Sequence, residues 1–87
     1  MEAEQIRSQI KQSISTVTGI DPADIGDNAA YRDDLGLDSL SILEVAINVE
    51  FHYKVEVPEE ELKDIRTIDD TIAVIQRHLV AKTALAA

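Results

Sequence analysis

The apolar positions of the chain fall into three helical stripes, joined by one long and one shorter connection. From about Ala3 to Thr18, the residues Ile6, Ile10, Ile14 and Val17 recur at helical spacing and share one narrow face. Glu2 and Glu4 near the start and Lys11 further on suit the helix dipole, and Gly19 can end the segment in the left-handed conformation. Ile20 to Leu37 predicts a long loop. Within it Asp21-Pro22 starts a short turn reaching Ile25, and Gly26-Asp27-Asn28 predicts a second turn. Ile20, Ile25, Tyr31 and Leu35 are spaced as anchors that pin this loop to a core. A connection this long in a small bundle points to function.

The second helix is expected from Ser39 to about Tyr53. Gly36 supplies a turn before it, and Asp38 can cap it by accepting from the free amides of the first turn. At about 100° per residue, Ile42, Val45, Ala46, Val49 and Tyr53 share a core-facing stripe. Leu40, Leu43, Ile47 and Phe51 form another stripe, with Glu44 beside it. A helix apolar on two faces is either sandwiched or presents one face to a partner. A short third helix could cover part of the second stripe, but Phe51 lies too far round to hide, which favours a partner surface.

Lys54-Val55-Glu56-Val57 alternates like a strand but has no partner strand, so an extended linker is expected. Pro58 then opens a short helix, Glu59 to about Lys63, with acids in its first turn. Thr67-Ile68-Asp69-Asp70 resembles a capping box with Asp in place of Glu or Gln. Ile68, Ile72, Ile75 and Leu79 give the stripe of a last helix ending near Ala81, with Thr83 to Ala87 expected to fray. The pattern predicts an all-α four-helix bundle: three longer helices, one short helix, and a long loop between the first and second. One domain spans residues 1–87, ordered over about 3–81.

Composition narrows the function. The chain holds 11 Ile, 7 Leu and 7 Val against three aromatics, and such an aliphatic core parts for an alkyl chain more easily than an aromatic one. Acids outnumber bases 17 to 8, for a net charge of −9. Between Asp21 and Asp64 there are 13 acids and three bases, Arg32, Lys54 and Lys63. That balance argues against nucleic acid, whose phosphates need a basic face, and suits partners with basic patches; charge alone does not separate such steering from solubility. The chain has no cysteine, so any thioester chemistry needs a thiol from a prosthetic group. No apolar run approaches the ~18–20 residues of a membrane span, and Met1-Glu2-Ala3-Glu4 is no signal peptide. A cytoplasmic monomer without membrane insertion is expected. The loop acids Asp27, Asp33, Asp34 and Asp38 lack the alternating ligands, central Gly and closing Glu of a calcium loop, so no metal site is expected.

Ser39 falls at the first position of the second helix. There the dipole and free amides stabilise a bound phosphate. It has no adjacent base, and His52 and His78 offer no Asp-His-Ser logic; both read as surface or boundary residues. Catalysis is therefore not expected.

The string Leu35-Gly36-Leu37-Asp38-Ser39-Leu40, with Glu44 five residues after the serine, resembles the attachment site of acyl carrier proteins. Further landmarks agree: Asp34-Leu35-Gly36, Tyr53, Val57-Pro58 and Thr67-Ile68, so the likeness runs from about Gln5 to Leu79. The resemblance implies that Ser39 carries 4′-phosphopantetheine, a covalent group derived from coenzyme A, and that Asp38 contacts the phosphopantetheinyl transferase that installs it. It implies that Leu40, Leu43, Glu44, Ile47 and Glu50 match partner-docking positions; the second stripe adds Phe51. The implied partners are acyl-loading, condensing and modifying enzymes with basic docking patches. Ser41 stands where the fatty-acid type usually has Asp, and Phe51 and His52 where it usually has Glu. Leu37 before Asp38 looks more like carriers of polyketide and related assembly lines. Fatty-acid and polyketide-type biosynthesis therefore both stay open. So do a peptidyl, aminoacyl or D-alanyl carrier, and an acidic helical adaptor with no covalent arm.

Overall fold

The computed structural model describes residues 3–86. Its helices are α1 (Ala3–Thr18), α2 (Ser39–Tyr53), α3 (Glu59–Leu62) and α4 (Ile68–Ala86), with a single 3-10 turn at Pro22–Asp24. The expected all-α bundle is present, and the described residues include no strand beyond one isolated bridge, Ala30 with Thr67. None of the described helices is long and apolar enough to cross a membrane.

The stripe of α1 faces the core, with Val17 half-buried at its end. Ile6, Ile10 and Ile14 have no exposed surface, and they join Val45 and Val49 of α2 and Ile68, Ile72 and Ile75 of α4 in one cluster. Each such side chain contributes about 1.5–3 kcal/mol by leaving water. α1 packs against both α2 and α4. A polar link joins the first two: the buried Ser13 hydroxyl donates to Asn48 Oδ1 at 2.8 Å. Gly19, with φ +81, ends α1, and its N–H reaches the Ser15 carbonyl at 2.7 Å. Lys11 pairs with Asp27 across the loop at 2.7 Å, a contact that its place on the helix dipole did not suggest. Glu2 lies outside the described residues.

The long loop is tied down as its anchors predict. Ile25 and Tyr31 are buried and Ile20 and Leu35 half-buried, while Leu37 is buried as well. Asp21 caps the 3-10 turn by accepting from the Ala23 N–H at 2.9 Å. The loop is also zipped to the start of α4. Tyr31 N–H donates to the Arg66 carbonyl at 2.9 Å, Ile68 N–H to the Ala29 carbonyl at 3.2 Å, and Asp69 N–H to Asn28 Oδ1 at 2.9 Å. The capping box forms in both directions: Asp70 N–H donates to Thr67 Oγ1 at 3.3 Å, and Thr67 N–H to Asp70 Oδ2 at 3.1 Å.

α4 differs from expectation at its end. Its backbone is helical to Ala86 instead of stopping near Ala81. The stretch Ala81-Lys82-Thr83-Ala84-Leu85-Ala86 holds no Gly or Pro and mostly strong helix formers, so nothing local stops the helix. Ala87 lies outside the described residues. α3 is tied to α4 through Glu61, which accepts from Arg77 at 2.6 Å and pairs with His78 at 2.8 Å.

Candidate functional site

The loop delivers the chain to Ser39 through a compact turn. The Ala30 carbonyl accepts from Asp34 and Leu35, the Arg32 carbonyl from Gly36 at 3.1 Å, and the Tyr31 carbonyl from Leu37 at 2.9 Å. Gly36 sits at φ +66, where a side chain would be strained. The turn is held from beneath by Tyr31, 1% exposed, whose hydroxyl lies 2.5 Å from Thr71 Oγ1. Burial pushes the Tyr31 phenol up to about 12.

Asp38 takes the extended conformation of a cap, φ −90 and ψ 177, and accepts from the Ser41 N–H at 2.8 Å. The Ser41 N–H and hydroxyl hold its carboxyl below the usual range, with a smaller contribution from the Arg32 charge. Ser39 follows as the first residue of α2, with its side chain exposed. The Arg32 guanidinium donates through Nη2 to Ser39 Oγ. This arginine was missed in the sequence, since nothing in a seven-residue separation across a loop signals the contact.

Beside Ser39 opens a cleft of about 570 Å³. Its buried and half-buried lining is aliphatic: Ile42, Leu43 and Ala46 from α2, Leu62 from α3, and Ile65. Its exposed lining is Ser39, three cations, Arg32, Lys63 and Arg66, and two acids, Asp33 and Glu59. A phosphate on Ser39 Oγ would meet a guanidinium, the positive end of a helix and an adjoining apolar cleft, so these residues fit a phosphodiester with an organic arm. Among the described residues no cluster of three or more His, Asp or Glu side chains could hold a metal.

The structure divides the expected docking residues. Leu40 is 63% exposed, Ile47 51% and Phe51 85%, and Glu44 is exposed beside them. Leu43 is half-buried and lines the cleft instead. Glu50 does not belong to the open face: it is half-buried, and its Oε1 is enclosed without a hydrogen-bond partner. Burial raises its carboxyl above the usual range, Glu56 adds to this, and the Val57 N–H and His78 oppose it. The cause is the linker after α2. Lys54 adopts the left-handed conformation, φ 56 and ψ 43, and turns the chain back so that Val55 and Val57 enter the core. His52 is exposed with its ring edge-on to Tyr53, and His78 is half-buried against Glu61.

Comparison with known proteins agrees with this geometry. The family described as "Phosphopantetheine attachment site" matches residues 8–75. An acyl carrier protein of Rhodococcus erythropolis is 40% identical over 74 residues, covering 85% of this chain and 81% of the relative. The meromycolate extension acyl carrier protein of Mycobacterium tuberculosis is 42% identical over 74 residues, covering 85% of this chain and 64% of that protein. The solution structure of the apo doublet acyl carrier protein from prodigiosin biosynthesis superposes with a TM-score of 0.71 at 23% identity, over 84% of this chain and 36% of that one. The chain thus belongs to the phosphopantetheine-attachment family, among the acyl carrier proteins. Such a protein is a carrier and not a catalyst; covalent 4′-phosphopantetheine provides the thiol that the cysteine-free chain lacks, and acyl groups ride on it as thioesters. Its partners are biosynthetic enzymes and the transferase that installs the group.

Proposed function

We propose that Ser39 is the attachment point and that the protein carries acyl chains of the fatty-acid type on it. The observation that carries this reading is the position of Ser39: exposed, first on α2 behind the Asp38 cap, and opening directly on an aliphatic cleft. The Asp38 cap fixes the direction of the first turn, so the Ser39 hydroxyl stays presented to the transferase. The lining from Ile42 to Ile65 offers an alkyl chain shelter from water. A relative named for meromycolate extension supports an elongation line over a polyketide one. The exposed face of Leu40, Glu44, Ile47 and Phe51 is the docking surface for partners with basic patches: the acid steers approach and the apolar side chains give residence. The carrier acts as a monomer in the cytoplasm.

Incubation with coenzyme A and a broad-specificity transferase tests the assignment. Intact mass should show one phosphopantetheine on the wild type and none on Ser39→Ala, with the helical circular dichroism of the variant unchanged. Modification of the alanine variant refutes Ser39 as the site.

A further inference from the structure

We propose that Arg32 is a phosphate clamp: once Ser39 is modified, its guanidinium donates to the phosphodiester oxygens and fixes the root of the arm beside the cleft. The inference rests on Ser39 as the attachment point. Arg32 already donates to Ser39 Oγ, the atom that bonds to phosphorus on modification. The non-bridging oxygens then lie two bonds beyond the atom that the guanidinium touches, through the phosphorus. A guanidinium matches two such oxygens with its planar fork.

Two further features single out this arginine. Its backbone is fixed: Tyr31 before it is buried and bonded to Thr71 and Arg66, and its own carbonyl accepts from Gly36. Its charge is also in no ion pair, although it acts at longer range on Asp38. Among the described residues Arg7, Lys11 and Arg77 pair with carboxylates, whereas Arg32, Lys63 and Arg66 appear in no such contact. In a chain with 17 acids, this cleft carries three cations outside any ion pair against two acids, Asp33 and Glu59. Arg32 is the one that touches the serine. It is a positioning residue, acting on where the arm lies and not on any bond that is made.

The test converts wild type, Arg32→Ala, Arg32→Lys and the double variant Lys63→Ala/Arg66→Ala to the modified form, with intact mass confirming each. Melting temperature before and after modification, and the phosphorus-31 resonance of the diester, are then compared. Modification should raise the wild-type Tm on the order of 2–4 °C, the size suited to an exposed charge pair in a domain this small. Arg32→Ala should lose at least half of that rise, and its phosphorus resonance should move toward that of free phosphopantetheine. Arg32→Lys should recover part of both, and the double variant should keep the wild-type values. A modified Arg32→Ala protein with the wild-type rise and resonance overturns the clamp alone. A double variant that loses as much as Arg32→Ala also overturns it, because a diffuse field then replaces the contact. No mass gain on the wild type overturns the clamp and the attachment reading together.

Discussion

Replacing Tyr31 with Phe isolates the hydroxyl that holds the serine-bearing loop onto α4. The Thr71 hydroxyl also reaches the Thr67 carbonyl, at 3.3 Å. The Tyr31 O–H therefore donates to Thr71 Oγ1, and its removal leaves Thr71 with an acceptor for its own proton. At neutral pH the variant should lose about 0.5–1.5 kcal/mol, the net value of one hydrogen bond with no partner stranded. Alkaline pH reverses the order. The folded phenol is raised to about 12, against about 10 in the unfolded chain. Its protonated form is favoured by folding, so that stability is complete below pH 10 and lost as pH rises toward 12. Two units correspond to about 2.7 kcal/mol in the wild type, on the order of magnitude, and to nothing in the Phe variant. Urea unfolding from pH 7 to 12 should therefore give two stability curves that cross at about pH 10–11. Curves that stay parallel past pH 11 refute the buried, bonded phenol. So does a loss above about 3 kcal/mol at pH 7, which signals a packing defect and not a missing hydroxyl.

Truncation on the two faces of α2 should separate core from docking surface. Val49→Ala, at a side chain with no exposed surface, should destabilise by roughly 1–3 kcal/mol, whereas Phe51→Ala, at one 85% exposed, should change unfolding by less than about 0.5 kcal/mol; equal losses in chemical denaturation would show that Phe51 belongs to the core. The melting temperature should rise from low to moderate sodium chloride, because salt screens repulsion among the 13 acids between Asp21 and Asp64 more than it weakens the few exposed ion pairs. A flat or falling melting temperature refutes that balance.

The helices were legible because their evidence is periodic and local. A four-residue stripe such as Ile6, Ile10, Ile14, Val17 can be satisfied by one structure only, and the caps at Asp38 and at Thr67 with Asp70 each bond within three residues of themselves. The zipper between residues 28–31 and 66–69 was not legible. Most of it is backbone pairing, which leaves no side-chain signature, and its one side-chain bond, from the Asp69 N–H to Asn28 Oδ1, is hidden because Asn28 reads locally as part of a turn. The left-handed Lys54 was hidden for a related reason. That conformation is usually marked by Gly or Asn, and here tertiary burial of Val55 and Val57 imposes it on a lysine.

The same division runs through the site. Ser39 and Asp38 announce themselves because a cap and the residue after it are a local pattern. Arg32 and Glu50 were placed by chain segments that fold back later: the Tyr31 anchor on α4 brings Arg32 to the serine, and the turn at Lys54 encloses the Glu50 carboxylate. The family resemblance put Glu50 among the docking positions, and nothing in the pattern of α2 itself signals the linker that covers it. The reverse holds for Phe51. No later segment returns over it, so its predicted angle and its observed exposure agree. A residue's role in this domain is readable from the sequence to the extent that its surroundings are made by its own helix turn, and the cleft beside Ser39 is made by three separate segments.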